Sequence, residues 1–187
     1  MTAAMMVSHP GKHHRWRARE GEKRTIAVEY HASNPILQYL EDMREALTQA
    51  LAQAYALAKC DDNMLLPSPV ALRRRVKPWF DSSYDYARHH VNPVCRAAVA
   101  ILKSYRKSHR KLTIPQIRRL AMRIDSELFR VTGNSDGTVT VRVTLAPFNY
   151  ETITFTPRHR KWSEYSSSGT ASELLLTDRK LCITFTI

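Results

Sequence analysis

Two clusters of cationic side chains are the residues of this 187-residue chain whose types and spacing can do chemistry. Arg73, Arg74, Arg75 and Lys77 stand just before Trp79 and Phe80. Arg96, Lys103, Arg106, Lys107, Arg110 and Lys111 follow, with Tyr105 and His109 among them, and Arg118, Arg119 and Arg123 extend the series. Cations gathered on one face bind polyanions, because each phosphate they neutralise releases condensed counterions. Aromatic rings stack on unpaired bases, which makes Trp79 and Tyr105 the candidate stacking residues. No zinc-finger spacing and no RNP-type aromatic sheet motif accompanies these clusters, so nothing in them specifies a base sequence.

Catalysis finds no comparable grouping. In the last third of the chain Asp136, Glu151, Glu164 and Asp178 are scattered, and none forms the paired carboxylates that hold two divalent cations for phosphodiester cleavage. The doublets His13-His14 and His89-His90 aim their rings in different directions, with no Cys or acidic residue at ligand spacing. Cys60, Cys95 and Cys182 are odd in number and in no CxxC pair, which fits a reducing compartment without a disulfide framework or zinc knuckle. The expectation is a chain with no catalytic residue, no metal site and no cofactor of its own.

The charge distribution supports a polyanion partner. Of 29 Lys+Arg and 17 Asp+Glu, giving a net charge of +12, residues 67–125 hold 14 basic and 3 acidic side chains. Residues 1–66 hold eight of each and residues 126–187 hold seven and six, so nearly the whole surplus lies in one central third. Such concentration is an electrostatic footprint rather than general solubilisation. A membrane is a poor alternative: the longest apolar run, residues 97–102, is far short of the roughly 18 residues a spanning helix needs. An interfacial helix would set Trp, Phe and Leu opposite its charge. The first 24 residues lack the apolar stretch of a secretory signal, and a cytoplasmic, nucleoid-associated protein is expected.

The elements that position these residues follow from periodicity. Residues 1–24 have no period and are expected to form a basic flexible arm, with Lys12, Arg15, Arg17 and Arg19 within reach of phosphates. Residues 25–32 alternate as a first strand through Ile26, Val28 and Tyr30. Asn34 and Pro35 then start a helix in which Leu40, Met43, Leu47, Leu51, Ala54 and Ala58 recur at steps of three and four. A loop is expected over 60–69, a break at Pro78, a helix over 81–91, a second helix start at Asn92-Pro93 and a short helix around 115–121. The helix after Pro93 has Val94, Ala98, Ile101 and Tyr105 on its apolar side and the cations outside it. Beyond residue 125 the period becomes two, in Val139 to Leu145, Ile153 and Phe155, and Leu181 to Ile187, with a turn at Asn134 to Gly137.

A lone seven-residue strand is not stable, so the first strand should pair with the later ones. The expected fold is α+β: a small antiparallel β-barrel or half-open sheet, made of residues 25–32 and 126–187, interrupted by a helical lobe over 33–125. The two ends of that insertion should then lie close together.

The stretches AVAILKSYRKSHRK, RIDSELFRV, TLAPFNYETITF, RKW and SELLLTDRKLCITFTI, in that order, resemble the N-terminal half of TnpB proteins. These are transposon-encoded RNA-guided nucleases, once labelled transposases and similar to compact type V CRISPR effectors. The resemblance implies a wedge domain, a small oligonucleotide-binding-like β-barrel, interrupted by a recognition lobe. It implies guide RNA and target DNA as partners, with Arg106, Lys107, Arg110 and Lys111 on the RNA or the RNA–DNA hybrid. Arg123 would either contact nucleic acid or brace the junction of lobe and barrel. It also implies a RuvC-like domain, with magnesium, after Ile187 or on a partner chain, so the chain alone is not expected to cleave DNA. The alternative from another class is a non-enzymatic scaffold whose cationic helix docks an acidic protein.

Overall fold

The computed structural model describes residues 21–109 and 113–187. Six of the seven strands among the described residues follow the long helices. β1 (Lys23–Glu29), β2 (Ala121–Asp125), β6 (Thr170–Thr177) and β7 (Lys180–Thr186) form one antiparallel sheet in the order β1-β7-β6-β2. β3 (Phe129–Gly133), β4 (Val139–Ala146) and β5 (Asn149–Phe155) form a second, in chain order. Between β1 and β2 come α1 (Asn34–Lys59), α2 (Pro69–Ser83), the 3-10 turn Arg88–His90 and α3 (Val91–Ser108); α4 (Trp162–Ser168) precedes β6.

The first strand pairs as its instability alone requires: β1 runs antiparallel to β7 from Lys23↔Thr186 to Glu29↔Lys180. Ile26, Ile183, Leu174 and Ile124 consequently form a buried row across the four-stranded sheet. Glu29 and Ala121, where the helical segment leaves and re-enters the sheet, flank the same β6–β7 turn opposite Lys180 and Thr177. They sit on opposite edges, three strand spacings or about 14 Å apart. The insertion therefore starts and ends at one end of the sheet, as expected, but not side by side.

The expected barrel does not form. Both sheets are open, because the 3-10 turn Ser126–Leu128 carries the chain from one sheet to the other after β2. The free edges β1 and β5 line a groove of about 390 Å³ that continues into one of about 260 Å³. Trp162 of α4 spans the two sheets instead, with its ring edge-on to Phe155 at 5.5 Å and Phe185 at 5.6 Å. α1 and α3 pack against β2, and helices and sheets share one hydrophobic core.

Helix boundaries differ from expectation in four places. The helix expected over 81–91 does not form: α2 ends at Ser83, residues 84–87 are irregular and a 3-10 turn, Arg88–His90, leads into α3. α1 is capped by Ser33, whose Oγ accepts from the Ile36 N–H and donates to Glu151 Oε2 at 2.8 Å, tying the helix start to β5. α2 passes through Pro78 to Ser83, because the missing N–H falls on the exposed side while Leu72, Val76 and Phe80 hold the buried one. Residues 115–120 are irregular rather than helical; the segment is too short to repay nucleation, and Ala121 is already paired to Thr177. α3 does begin where Asn92-Pro93 suggests, with Pro93 in its first turn. Among the described residues no helix is long and apolar enough to cross a membrane.

One buried polar link ties the helices to the three-stranded sheet. β3 stops pairing with β4 at Val143, and beyond it Ala87 N–H donates to Leu145 O at 2.8 Å. His90, fully buried, donates from Nε2 to Thr144 O at 2.8 Å, which leaves Nδ1 to accept from the Tyr39 hydroxyl at 2.9 Å. Burial keeps Tyr39 protonated and pushes His90 down to about 4, only partly offset by its bond to Thr144. The unfolded imidazole, near 6.5, binds a proton that the folded one refuses. This contribution is whole above pH 6.5 and is lost as pH falls towards 4. Between pH 7 and 4 the protein should lose about 3 kcal/mol more stability than its His90→Gln variant in urea unfolding. Parallel pH profiles would contradict the neutral, buried imidazole.

Candidate nucleic-acid interface

The cationic residues lie mainly on α2 and α3, and helix geometry decides which of them meet. Successive residues point about 100° apart, so Arg73, Arg74 and Arg75 cannot share one face. Arg73 turns towards α3 and donates to Asn92 Oδ1 at 3.1 Å. Arg75 leaves on the flank of Trp79. Lys77, one turn beyond Arg73, is ion-paired with Asp81.

α2 and α3 pack as an antiparallel pair. Arg73 meets Asn92, Val70 faces Arg96 across a hollow of about 210 Å³, and Arg106 donates to Met64 O, before α2, at 2.7 Å. At the other end Arg73, Lys77, Arg88, His89 and Asn92 surround a hollow of about 240 Å³. The buried side of α3 is Val94, Cys95, Ala98 and Leu102, turned slightly from the expected stripe; Ile101 and Tyr105 are half-buried. Arg96, Lys103, Arg106 and Lys107 fall together on the flank facing α2. From Asn92 to Lys107 this flank runs about 22 Å at 1.5 Å per residue.

Ion pairing sorts the cations further. Arg96 pairs with Asp125, and Arg123 pairs with Glu173 at 2.7 Å; both line a mostly apolar groove of about 590 Å³ between α3 and β2. Arg123 thus braces the edge of the sheet. Arg73, Arg74, Arg88, Lys103, Arg106 and Lys107 have no carboxylate partner among the described residues. Arg118 and Arg119 lie in the irregular segment before β2, where Arg118 donates to Gln116 Oε1 at 3.3 Å. Arg110, Lys111 and the arm cations Lys12, Arg15, Arg17 and Arg19 lie outside the described residues. Arg88 is the member that sequence patterning passes over, because only the fold brings it beside Lys77.

The two stacking candidates are not brought to this surface. Trp79 is half-buried and edge-on to Tyr84 at 5.6 Å. Tyr105 points about 200° around α3 from Lys103, with its ring stacked on His109 at 3.8 Å. Among the described residues no group of three or more His, Cys, Asp or Glu is placed to hold a metal ion.

A surface of unneutralised cations opposes its own folding. Lys103 and Lys107 are one turn apart on α3, a like-charged pair that costs a few tenths of a kcal/mol. Lys103→Ala, which removes the member of the pair outside the last turn of α3, should therefore raise stability by about 0.3 kcal/mol in dilute buffer, with the gain fading at high salt, where charges farther apart than about 3 Å are screened. Chemical denaturation at both salt levels checks this; destabilisation at low salt would mean that Lys103 serves the fold.

Comparison with known proteins corrects one expectation. The model of the uncharacterized protein MJ0013 family matches residues 39–156, from the first turns of α1 to just past β5. No curated protein matches the chain. The match takes in the basic helix and the hairpin on which the TnpB resemblance largely rests, and it overturns that resemblance. The quoted stretches are a cationic amphipathic helix and alternating strands, patterns that unrelated α+β chains share. The wedge, recognition-lobe and RuvC-like continuation no longer follow.

Proposed function

The chain belongs to the uncharacterized MJ0013 family, and from the geometry of its helical pair we propose that it binds nucleic acid through the outer face of α2 and α3. One observation carries the proposal: five cations along this face, Arg73, Arg88, Lys103, Arg106 and Lys107, lack carboxylate partners among the described residues. A face that served only solubility would intersperse both signs. A run of about 22 Å spans several phosphates of one strand or duplex.

The contacts are to backbone. Exposed Lys and Arg on a helix flank, without a groove-filling shape or stacking rings, supply affinity and orientation rather than base reading. His89, whose Nδ1 lies 2.9 Å from Glu127 Oε2, and Asn92 add polar groups at the Arg88 end.

If these five cations each neutralise a phosphate, the logarithm of affinity should fall against the logarithm of salt concentration with a slope of about −3.5 to −4.5. Fluorescence anisotropy with a labelled oligonucleotide at 50 to 200 mM salt, as order-of-magnitude limits, measures it. Lys103→Ala and Lys107→Ala should each shallow the slope by about one unit. A flat salt response, or unchanged slopes in both variants, would remove the proposal.

A further inference from the structure

Outside the helical pair, a second cationic surface stands on the three-stranded sheet. Alternation along β3, β4 and β5 sends Phe129, Val131, Val141, Val143 and Ile153 inward. The register sends Arg130, Arg142 and Tyr150 outward, among a field of threonines. Arg130 lies directly opposite Arg142, an arrangement of like charges that destabilises a sheet. No carboxylate shares that outward face among the described residues. Glu151 turns inward to Ser33, and Asp136, in the β3–β4 turn, is held by the Thr138 hydroxyl and N–H. A phosphate backbone laid across this face would relieve the repulsion.

The β4–β5 turn adds the second half of a ligand site. Ala146 pairs with Asn149, so the turn is Pro147-Phe148 alone. Phe148 has φ 62° and is 94% exposed. With proline before it, this is the position of a type II turn that Gly or Asn normally fills. A β-carbon there is strained, and the ring buries nothing in return. Two residues on, Tyr150 is 43% exposed, with the Arg142 guanidinium 4.7 Å from its ring centroid. The chain therefore holds a strained aromatic in water next to an aromatic–guanidinium stack and an unneutralised arginine pair.

We infer that this sheet face is a single-stranded nucleic-acid site: Phe148 and Tyr150 stack on unpaired bases, and Arg130 and Arg142 hold the phosphate backbone. Base stacking on aromatics tolerates any sequence, and arginine planes serve both bases and backbone. The inference rests on the nucleic-acid reading of α2 and α3 and deepens it, by naming unpaired strands as the preferred substrate. The two surfaces meet structurally at the 3-10 turn Arg88–His90, which is bonded to the end of β4 at Thr144 and follows the Ala87–Leu145 bond.

The test compares the full chain with Phe148→Asn and Tyr150→Ala on an oligouridylate of about 12 nucleotides, a duplex of equal length, and phosphatidylserine vesicles. Each variant should weaken oligouridylate binding roughly 5- to 100-fold and leave duplex binding unchanged. Phe148→Asn should melt no lower than the unmodified chain, since asparagine accepts the positive φ, so its loss of binding cannot be a loss of fold. Unchanged oligouridylate affinity in both variants overturns the inference while leaving the helical surface standing. So does vesicle binding that Phe148→Asn abolishes with oligouridylate binding intact. Absence of binding to either nucleic acid by the unmodified chain, even at low salt, removes both proposals.

Discussion

Seven residues of β1, paired along β7, hold this structure together across almost its whole length. That ladder joins Glu29, where the helical segment departs, to Lys180 at the head of β7. The cost of closing so long a loop grows only slowly with length, and the buried row of Ile26, Ile183, Leu174 and Ile124 offsets it. Because β2 re-enters beside β6 at the same end of the sheet, α1 and α3 are laid against β2 and the buried face. The position of the cationic helical pair follows from this closure.

The second tie is polar. His90 gives one ring nitrogen to the β4 backbone and takes the Tyr39 hydroxyl on the other, joining α1, the start of α3 and the three-stranded sheet. A buried imidazole is tolerated because both nitrogens are satisfied. The link also fixes Arg88 and His89 on the outside of the same turn, at the end of the groove between α2 and α3. Core and surface are thus set by adjacent residues.

Much of this was legible in the sequence where periodicity is long. α1 and the pairing of β1 with a later strand follow from apolar spacing and from the instability of a lone strand. α2 was not legible: Pro78 signals a break, and only packing of Leu72, Val76 and Phe80 shows why the helix continues. The need of a lone strand for partners allows a barrel or a half-open sheet, and a three-residue turn after β2 splits the strands into two open sheets. Charge counted by segment located the helical cations and missed the sheet. Residues 126–187 are nearly neutral in sum, yet Arg130 and Arg142 share a face that their acidic neighbours do not. Trp79 and Tyr105 show the opposite error, since proximity in sequence to Arg and Lys did not put their rings on the cationic side.

Nucleic acid is proposed to lie on the outer face of α2 and α3. Titrating an oligonucleotide into isotope-labelled protein and following backbone amide shifts tests it residue by residue. Progressive shifts along Arg73, Arg88, Asn92, Lys103 and Lys107, reversed by adding salt, are expected of this site. Shifts confined to the groove between β1 and β5, or none at low salt, would contradict it.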